Sequence, residues 1–595
     1  MKYNVIGSND YIFDLRASIF ENRGIDRKDI EKFLNPTRIV ENSYKKLDNI
    51  ITAVKVLKKH LENKSRIHII ADSDCDGYCS GSAMYLALKE IYPLYNSHLT
   101  WNIHEEKAHG IVIEELEEFK NSKGKYNFDL LIVPDAGSSD VKECKILKEL
   151  GIDVIILDHH ESDVENDYAI VVNPQLSPNY PNKEICGTTV VYKFLQALDK
   201  ELKCSVANNY IDLVAVATIS DMMDTRELEN RYYINQGLKK IKNPFVQALI
   251  KKQSFSMKRT NIKGIGWYIA PLINAVTRVG TVAERKDLFR AFTDTELQII
   301  YKRSKNAEEQ LVYLYEDMAR QLVNIKSRQD RLRDKVSPTL LLSANENNVL
   351  NIIKMDDDVK YKHMKGVLAM KVASNINRPT LLFVERKVEV NGEIKTILQG
   401  SGRNLDYYFI DNLRDELISS GLFINAAGHG NAFGFSLLLE NKDKAIEFFN
   451  KKYENHENSV TVDFEINSSK LQKSLVKTFD NLKDIWGQSF KEPKVIIKDV
   501  VVKNAVINEK KSLLSFVNED TGIEYKLFFP NEKVILDLTN EEKDVTIDVI
   551  GGLDINEWNG DKTYQVVIED YEITDSRKVK KFKNGKGKGK DDFFF

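Results

Sequence analysis

With 595 residues, 42% hydrophobic and 29% charged, the chain is too long for one core and has the balance of a soluble, multidomain globular protein. Its net charge of −3 excludes a protein that binds nucleic acid by bulk basicity, so any such contact must come from local patches. Five cysteines (Cys75, Cys79, Cys144, Cys186, Cys204) without a CxxC pair argue against a zinc ribbon or disulfide framework and fit a reducing cytoplasm; no secretory leader or membrane-spanning apolar run is visible.

Residues 1–60 read as polar helices broken at Pro36, an N-terminal cap on the first domain. Ile67–Ala71, apolar except for His68, reads as a buried parallel strand. Asp72, Asp74, Asp76 and Gly77 follow, and small residues then lead into a helix over 79–91. Three carboxylates at a strand's C-terminal edge repel one another unless a cation sits among them, and Mg²⁺ and Mn²⁺ take such oxygen ligands. A solvated acidic turn is the bland alternative. An EF-hand is the weaker one, because Ala83 stands where the loop's twelfth-position Glu belongs. Strands are expected at Phe128–Pro134, Ile152–Leu157 and Ala169–Val172, with helices at Val141–Leu150, Thr188–Lys200 and Tyr210–Ile219. The alternation predicts a parallel sheet covered on both faces.

From 230 to 335 the chain reads as mostly helical, and Tyr301–Arg333 as one long amphipathic helix bridging two domains. A second α/β segment follows over about 338–450, with strands near Thr339–Ser343 and Thr380–Val384. Short β-rich runs at Lys494–Lys498, Ser512–Val517, Tyr525–Phe529, Val545–Ile550 and Tyr564–Ile568 suit a small barrel. Arg577–Lys590, rich in Lys and Gly, reads as a disordered tail.

The later strands of the first sheet end as the first one does. One closes on Asp135, the next on Asp158-His159-His160, and the apolar run 214–220 closes on Asp221. A lone Asp at such a place is usually a helix cap. Parallel strands, however, bring all their ends to one edge, and apolar strands feeding Asp and His into it point to a dinuclear metal site.

Asp158-His159-His160 resembles the signature of the DHH phosphoesterase superfamily. Ala71-Asp-Ser-Asp-Cys-Asp-Gly77, Pro134-Asp-Ala-Gly137 and Asp221 match its other blocks in order. The downstream half is similar to the bacterial RecJ exonucleases: Pro271-Leu-Ile-Asn274-Ala-Val-Thr-Arg278, Lys365–Ser374 with Arg378-Pro379, Gly400-Ser401-Gly402-Arg403, Gly428-His429, and Asn556–Gly560 with Gln565. Ala71, Ala136 and Ala427 depart from the family pattern without removing a ligand. The family's phosphate-holding Arg after the second strand is missing, with Lys107, His104 or His109 as substitutes.

The resemblance implies an α/β protein: a parallel-sheet DHH domain with its cap (1–300), a connecting helix (301–335), a smaller α/β DHHA1 domain (336–455), a β-barrel OB-type domain (456–576) and a tail (577–595). It implies 5′-to-3′ hydrolysis of single-stranded DNA to 5′-mononucleotides with two Mn²⁺ or Mg²⁺ ions. Asp72, Asp74, Asp76, Asp135, His159 and Asp221 would be metal ligands, with His68 as a further candidate; Asp135, Asp158 and His160 would serve the chemistry. Arg278, Ser401, Arg403, His429 and Asn274 would hold the phosphate or the strand. Lys239–Lys242, Lys251–Arg259 and Lys326–Arg333 are candidate basic patches, Trp558 a candidate stacking residue, and Asp591-Asp-Phe-Phe-Phe595 a candidate docking peptide for a single-strand-binding or replication protein. A phosphodiesterase for cyclic dinucleotides or short oligonucleotides, and a non-catalytic DNA-binding scaffold, are the two rival readings.

Overall fold

The computed structural model describes residues 1–578 except 8–10, 106–107, 163, 258, 304–306, 391–392, 406, 457, 488, 540–542 and 559. The tail beyond Lys578, Lys107 and the side chain of Trp558 therefore lie outside the described residues.

Five parallel strands form the first sheet, in the order Leu99–Ile103, Ile67–Ala71, Leu130–Pro134, Asp153–Leu157, Ile170–Val172. Ile67 pairs with both Leu99 and Leu130, and Leu157 with both Pro134 and Val172. Alternate residues feed two cores. Ile67, Ile69, Leu130, Ile132 and Ile155 pack beneath the helices Gly187–Leu202 and Ile211–Ser220, while Ile70, Leu131, Val133 and Ile156 face Leu116, Cys144 and Leu147. A sheet buried on both faces explains why its strands read as continuous apolar runs. Leu99–Ile103 escaped sequence reading because Thr100 and Asn102 interrupt it.

The helix that follows Ile67–Ala71, Cys75–Ile91, begins four residues before the expected 79. Asp74 is its N-cap, its Oδ1 accepting from Gly77 N at 3.0 Å, so the aspartate turn and the helix start are one structure. Gly77 has to be small, since a Cβ there would fall 2.5 Å from Asp72.

After the helices Ala270–Val279 and Val282–Thr293 comes a two-stranded hairpin, Gln298–Tyr301 with Gln310–Tyr313. The long helix starts only at Leu314 and runs 29 residues to Leu342, so the expected 301–335 boundaries shift and Thr339–Leu342 is helix rather than strand. The second sheet has five strands ordered Phe423–His429, Ala432–Leu438, Glu393–Arg403, Thr380–Val390, Asn351–Lys354, with only the last pair parallel.

The chain divides into two compact units. One holds Glu31–Glu457 with Asp484–Lys491; the other holds Met1–Ile30, Asn458–Lys483 and Glu492–Phe595. The expected N-terminal cap is thus corrected in part. Tyr3–Val5 pairs parallel to Val460–Val462, and Arg23 Nη1 meets Asp463 Oδ1 at 2.5 Å, so the first thirty residues build the β-rich unit. Conversely, Asp484–Lys491 belongs with the first unit: Phe490 packs on Phe33, and buried Arg231 donates to Ile485 O at 3.2 Å and Thr225 O at 3.0 Å. Partners hundreds of residues apart leave no local signal. The β-rich unit carries a seven-stranded sheet ordered Phe464–Asn467, Val495–Val502, Lys543–Trp558, Asp561–Lys578, Ile523–Phe528, Leu513–Asn518, Val506–Ile507. Two of the expected short runs are parts of its 16- and 18-residue hairpin strands. Among the described residues no helix is long and apolar enough to cross a membrane.

Candidate active site

The first sheet delivers Asp72, Asp135 and Asp158 from the ends of adjacent strands, and the helix Ile211–Ser220 delivers Asp221 as its C-cap. Ligand atoms fall into three overlapping groups, each within 4.8 Å: Asp72, Asp74 and Asp135; Asp76, His159 and Asp221; Asp135, His159 and His160. His159 Nε2 stands 3.2 Å from Asp135 Oδ1, 3.5 Å from Asp221 Oδ2 and 3.8 Å from Asp76 Oδ2.

These carboxylates are poorly satisfied by the protein. Asp135 Oδ1 and Asp221 Oδ2 are buried and accept no hydrogen bond among the described residues. Burial, then Asp76 and Asp74, push both carboxyls well above their ordinary range. Burial, then Asp72, lifts Asp74 to about 6. A buried polar atom without a partner is costly, and buried oxygens with one imidazole are the donor set that Mn²⁺ or Mg²⁺ accepts. The residues present therefore fit a pair of such ions. Asp76 is more firmly engaged, since its oxygens accept from Gly187 N at 2.7 Å, Thr188 N at 2.9 Å and Thr188 Oγ1 at 2.5 Å, at the start of the helix Gly187–Leu202.

Asp158 faces away from the cluster. It accepts from the backbone N–H of Ser138, His159 and His160, and its Oδ1 lies 2.9 Å from His160 Nδ1. Burial opposes its ionisation, but His160, His159 and Ser138 together outweigh burial and hold the carboxyl below its usual range. Burial likewise works against a charged His160, yet Asp158 raises that imidazole to about 9. His159 goes the other way, to about 4, through burial and then His160. One imidazole is thus neutral, as a ligand must be, and its neighbour is cationic at pH 7.

His68 corrects the expectation of a further ligand. Its Nδ1 lies 2.8 Å from Thr100 Oγ1 and its Nε2 2.9 Å from Asn102 Oδ1, with Phe119 and Phe128 against the ring. Burial lowers its pKa to about 4. It is a core imidazole satisfied by the neighbouring strand.

A cationic pocket of about 350 Å³ is lined by Arg278, Arg333, Lys371 and Arg403 with Gly366 and Ser374. Burial, then Arg278, lowers Arg403 to about 10. Burial lowers the Arg278 guanidinium and Asp74 works against that, which puts the pocket within electrostatic reach of the aspartates. Ser401 lies two residues before Arg403 in one strand and so shares its face. His429 ends the strand Phe423–His429, close enough for His160 to depress its pKa, after burial. Asn274 is placed differently from expectation: its Oδ1 accepts from Cys75 N at 3.0 Å and so holds the aspartate turn. The Lys326–Arg333 patch is largely paired, with Lys326 and Arg333 on Asp330 and Arg328 on Glu284.

Thr277, Arg285 and Arg414 were not among the residues expected at the site. Thr277 Oγ1 donates to Ser73 O. Arg285, buried, donates to Thr277 O at 3.1 Å and to Glu105 O, joining that turn to the loop after Leu99–Ile103. In this loop His109 Nδ1 meets Asp72 Oδ2, whereas His104 is buried against Glu115 at 2.8 Å. Arg414 donates to Gly428 O and reaches Glu161 at 3.4 Å, tying the end of the strand Phe423–His429 to the segment after His160. None of these lies in a run of like residues, and only Thr277 falls inside a recognisable block.

Residues 66–218 match the DHH family, N-terminal domain, and residues 462–570 the RecJ OB domain. A Bacillus subtilis protein bearing the name of an SPbeta-prophage single-strand DNA-specific exonuclease, YorK, is 37% identical over 96% of this chain and 98% of its own. The single-stranded-DNA-specific exonuclease RecJ of the same organism is 25% identical over 95% of this chain and 69% of its own. The crystal structure of Thermus thermophilus RecJ with Mn²⁺ shares the fold at a TM-score of 0.66 and 20% identity, covering 93% of this chain and 75% of that one.

Proposed function

The chain belongs to the RecJ-type family of DHH exonucleases, and we propose from this premise that it hydrolyses single-stranded DNA from the 5′ end, releasing nucleoside 5′-monophosphates. The observation that carries the reading is the convergence of Asp72, Asp74, Asp135, His159 and Asp221 beside a cationic pocket. Those five would hold two Mn²⁺ or Mg²⁺ ions, the ions seen with Thermus RecJ. Bound there, such ions supply a hydroxide nucleophile near neutral pH and offset phosphodiester charge.

The protein's own groups do the rest. His160, cationic and half-exposed beside Asp135 and His159, is held at Nδ1 by Asp158, so its Nε2 would donate to phosphoryl oxygens as their charge grows. Asp76 anchors the helix beneath Asp135 and keeps that carboxylate in place. Arg403 and Arg278 take the terminal phosphate in their pocket, where a guanidinium fork suits two oxygens and the anion relieves their mutual repulsion. Ser401 and His429 add donors from the same sheet. A strand end held in this way is what an exonuclease requires.

We place the activity in the cytoplasm, in DNA recombination, repair or phage DNA metabolism, and we propose Asp591–Phe595 as a docking peptide for a single-strand-binding or replication protein; the tail's acidic-aromatic sequence supports the latter. The substrate class is tested by offering long single strands, duplexes, dinucleotides and cyclic dinucleotides with Mn²⁺. Turnover of long single strands supports the proposal. Turnover of dinucleotides alone overturns it in favour of a small-substrate phosphodiesterase, and binding without turnover in favour of a scaffold.

A further inference from the structure

Trp267 is 73% exposed, an unusual state for the largest apolar side chain, and it stands in a π-helical turn, Ile265–Ile269. That turn runs directly into the helix Ala270–Val279, which carries Asn274 and Arg278. Along this continuous helix the buried residues are Ile265, Ile269, Ala270, Leu272, Ile273, Ala275, Val276 and Thr277. The less buried stripe is Trp267, Pro271, Asn274 and Arg278, at spacings of four, three and four residues. That is one face of a helix. Two of its members are already fixed at the site: Asn274 holds the aspartate turn, and Arg278 lines the phosphate pocket. The wide turn carries the first member of the stripe, and such turns concentrate at functional places.

A second contact ties the aromatic end to the same site. Gly266, next to Trp267, packs on Ile219, 3.5 Å from where its Cβ would be. Ile219 precedes Asp221 by two residues in the helix that delivers it. Beside Asp221, Met222 is also exposed, in a left-handed conformation. Tyr268 and Phe255 are exposed too, and Lys251, Lys252, Arg259 and Lys263 lie in the same segment. An exposed Trp on a stripe that ends in a phosphate pocket, with Lys251 and Lys252 earlier in the same segment, suits one kind of partner: a single strand with unpaired bases and a charged backbone.

We propose that Trp267 is a stacking platform for a base of the strand whose terminal phosphate sits at Arg278 and Arg403. Arg278 lies eleven positions beyond Trp267, roughly 16 Å along the axis, so the stacked base lies a few nucleotides in from the end. The platform sets how long a strand must be to bind well. This rests on the single-strand reading above and specifies the residue that grips the strand beyond the scissile bond.

The test measures anisotropy of a labelled long single strand in EDTA, where no cleavage occurs, with the full-length wild type, Trp267→Ala and Trp267→Phe. Trp267→Ala is expected to weaken binding roughly tenfold, with Trp267→Phe recovering most of the loss. An abasic site walked inward from the 5′ end should reproduce that loss in the wild type at one position and add nothing there in Trp267→Ala. Unchanged binding by Trp267→Ala, or abasic and alanine losses that add at every position, overturns the proposal. A wild type that shows this binding pattern but cleaves no strand with Mn²⁺ would instead overturn the exonuclease reading and leave the platform standing.

Discussion

A Cβ on Gly187 would fall 2.3 Å from Asp135 Oδ1 and 2.7 Å from its Cα. Asp135 itself adopts a left-handed backbone (φ 69°), so the carboxylate at the centre of the cluster is held by a close backbone approach from the start of the next helix. Gly187→Ala is expected to displace Asp135 while leaving the sheet intact. Displacement of about 1 Å at a reacting centre can cost on the order of a hundredfold in rate. Steady-state cleavage and a thermal melt read the two effects separately: kcat falls by that order, and Tm by only a few degrees.

His68 gives a prediction with a pH sign. Its pKa is about 4 in the fold against an ordinary 6.5, so the unfolded chain binds more protons between those values. Its contribution to stability is complete above about 6.5 and is lost as pH falls towards 4. The shift corresponds to roughly 3 kcal/mol over that window. Denaturant unfolding of the wild type and of His68→Gln across pH 4–7 should show a shallower acid slope in the variant. Metal-dependent cleavage at pH 8 should survive the substitution, because neither ring nitrogen faces the carboxylates.

Arg403 and Arg278 line one pocket with no acid among its described lining residues, and Arg403 is depressed by burial and then by its neighbour. Removing one cation should relieve repulsion while weakening phosphate capture. Arg403→Ala is expected to raise KM by roughly tenfold or more, the scale of a lost charge-assisted hydrogen bond, with Tm unchanged or slightly higher. A 5′-phosphorylated dinucleotide should raise the Tm of the wild type more than that of the variant.

Lys193 is fully buried, with Nζ 2.8 Å from Glu229 Oε1 and 3.6 Å from Glu41 Oε1. Lys193→Met leaves the buried Glu229 without its cation, while Glu41 keeps Arg38. A loss of about 3–5 kcal/mol is expected, the usual cost of breaking a buried pair from one side. Urea unfolding measures it.

Much of this was legible in the sequence because the site sits where a local pattern and a global topology coincide. Apolar strands that end in Asp72, Asp135 and Asp158 carry their own address, since parallel strands must bring those ends together. His68 could not be assigned in the same way. An imidazole inside an apolar strand looks the same whether it binds a metal or a neighbouring strand, and the choice was made by Thr100 and Asn102 across a strand that polar residues had hidden. The domain edges at both ends of the β-rich unit were set by Arg23 with Asp463 and by Arg231 with Ile485, pairings without periodicity or motif. Trp267 was passed over because exposure, which makes it notable, is a property of the fold rather than of the string.

The most direct test of the central claim follows a long single-stranded DNA labelled at its 5′ or its 3′ end, with Mn²⁺ or EDTA, in the wild type, Asp135→Ala and His160→Ala. Immediate release of a 5′-labelled mononucleotide, abolished by EDTA and lost in both variants, is the predicted result. Release from the 3′ end first, or cleavage that persists in Asp135→Ala, would contradict the account.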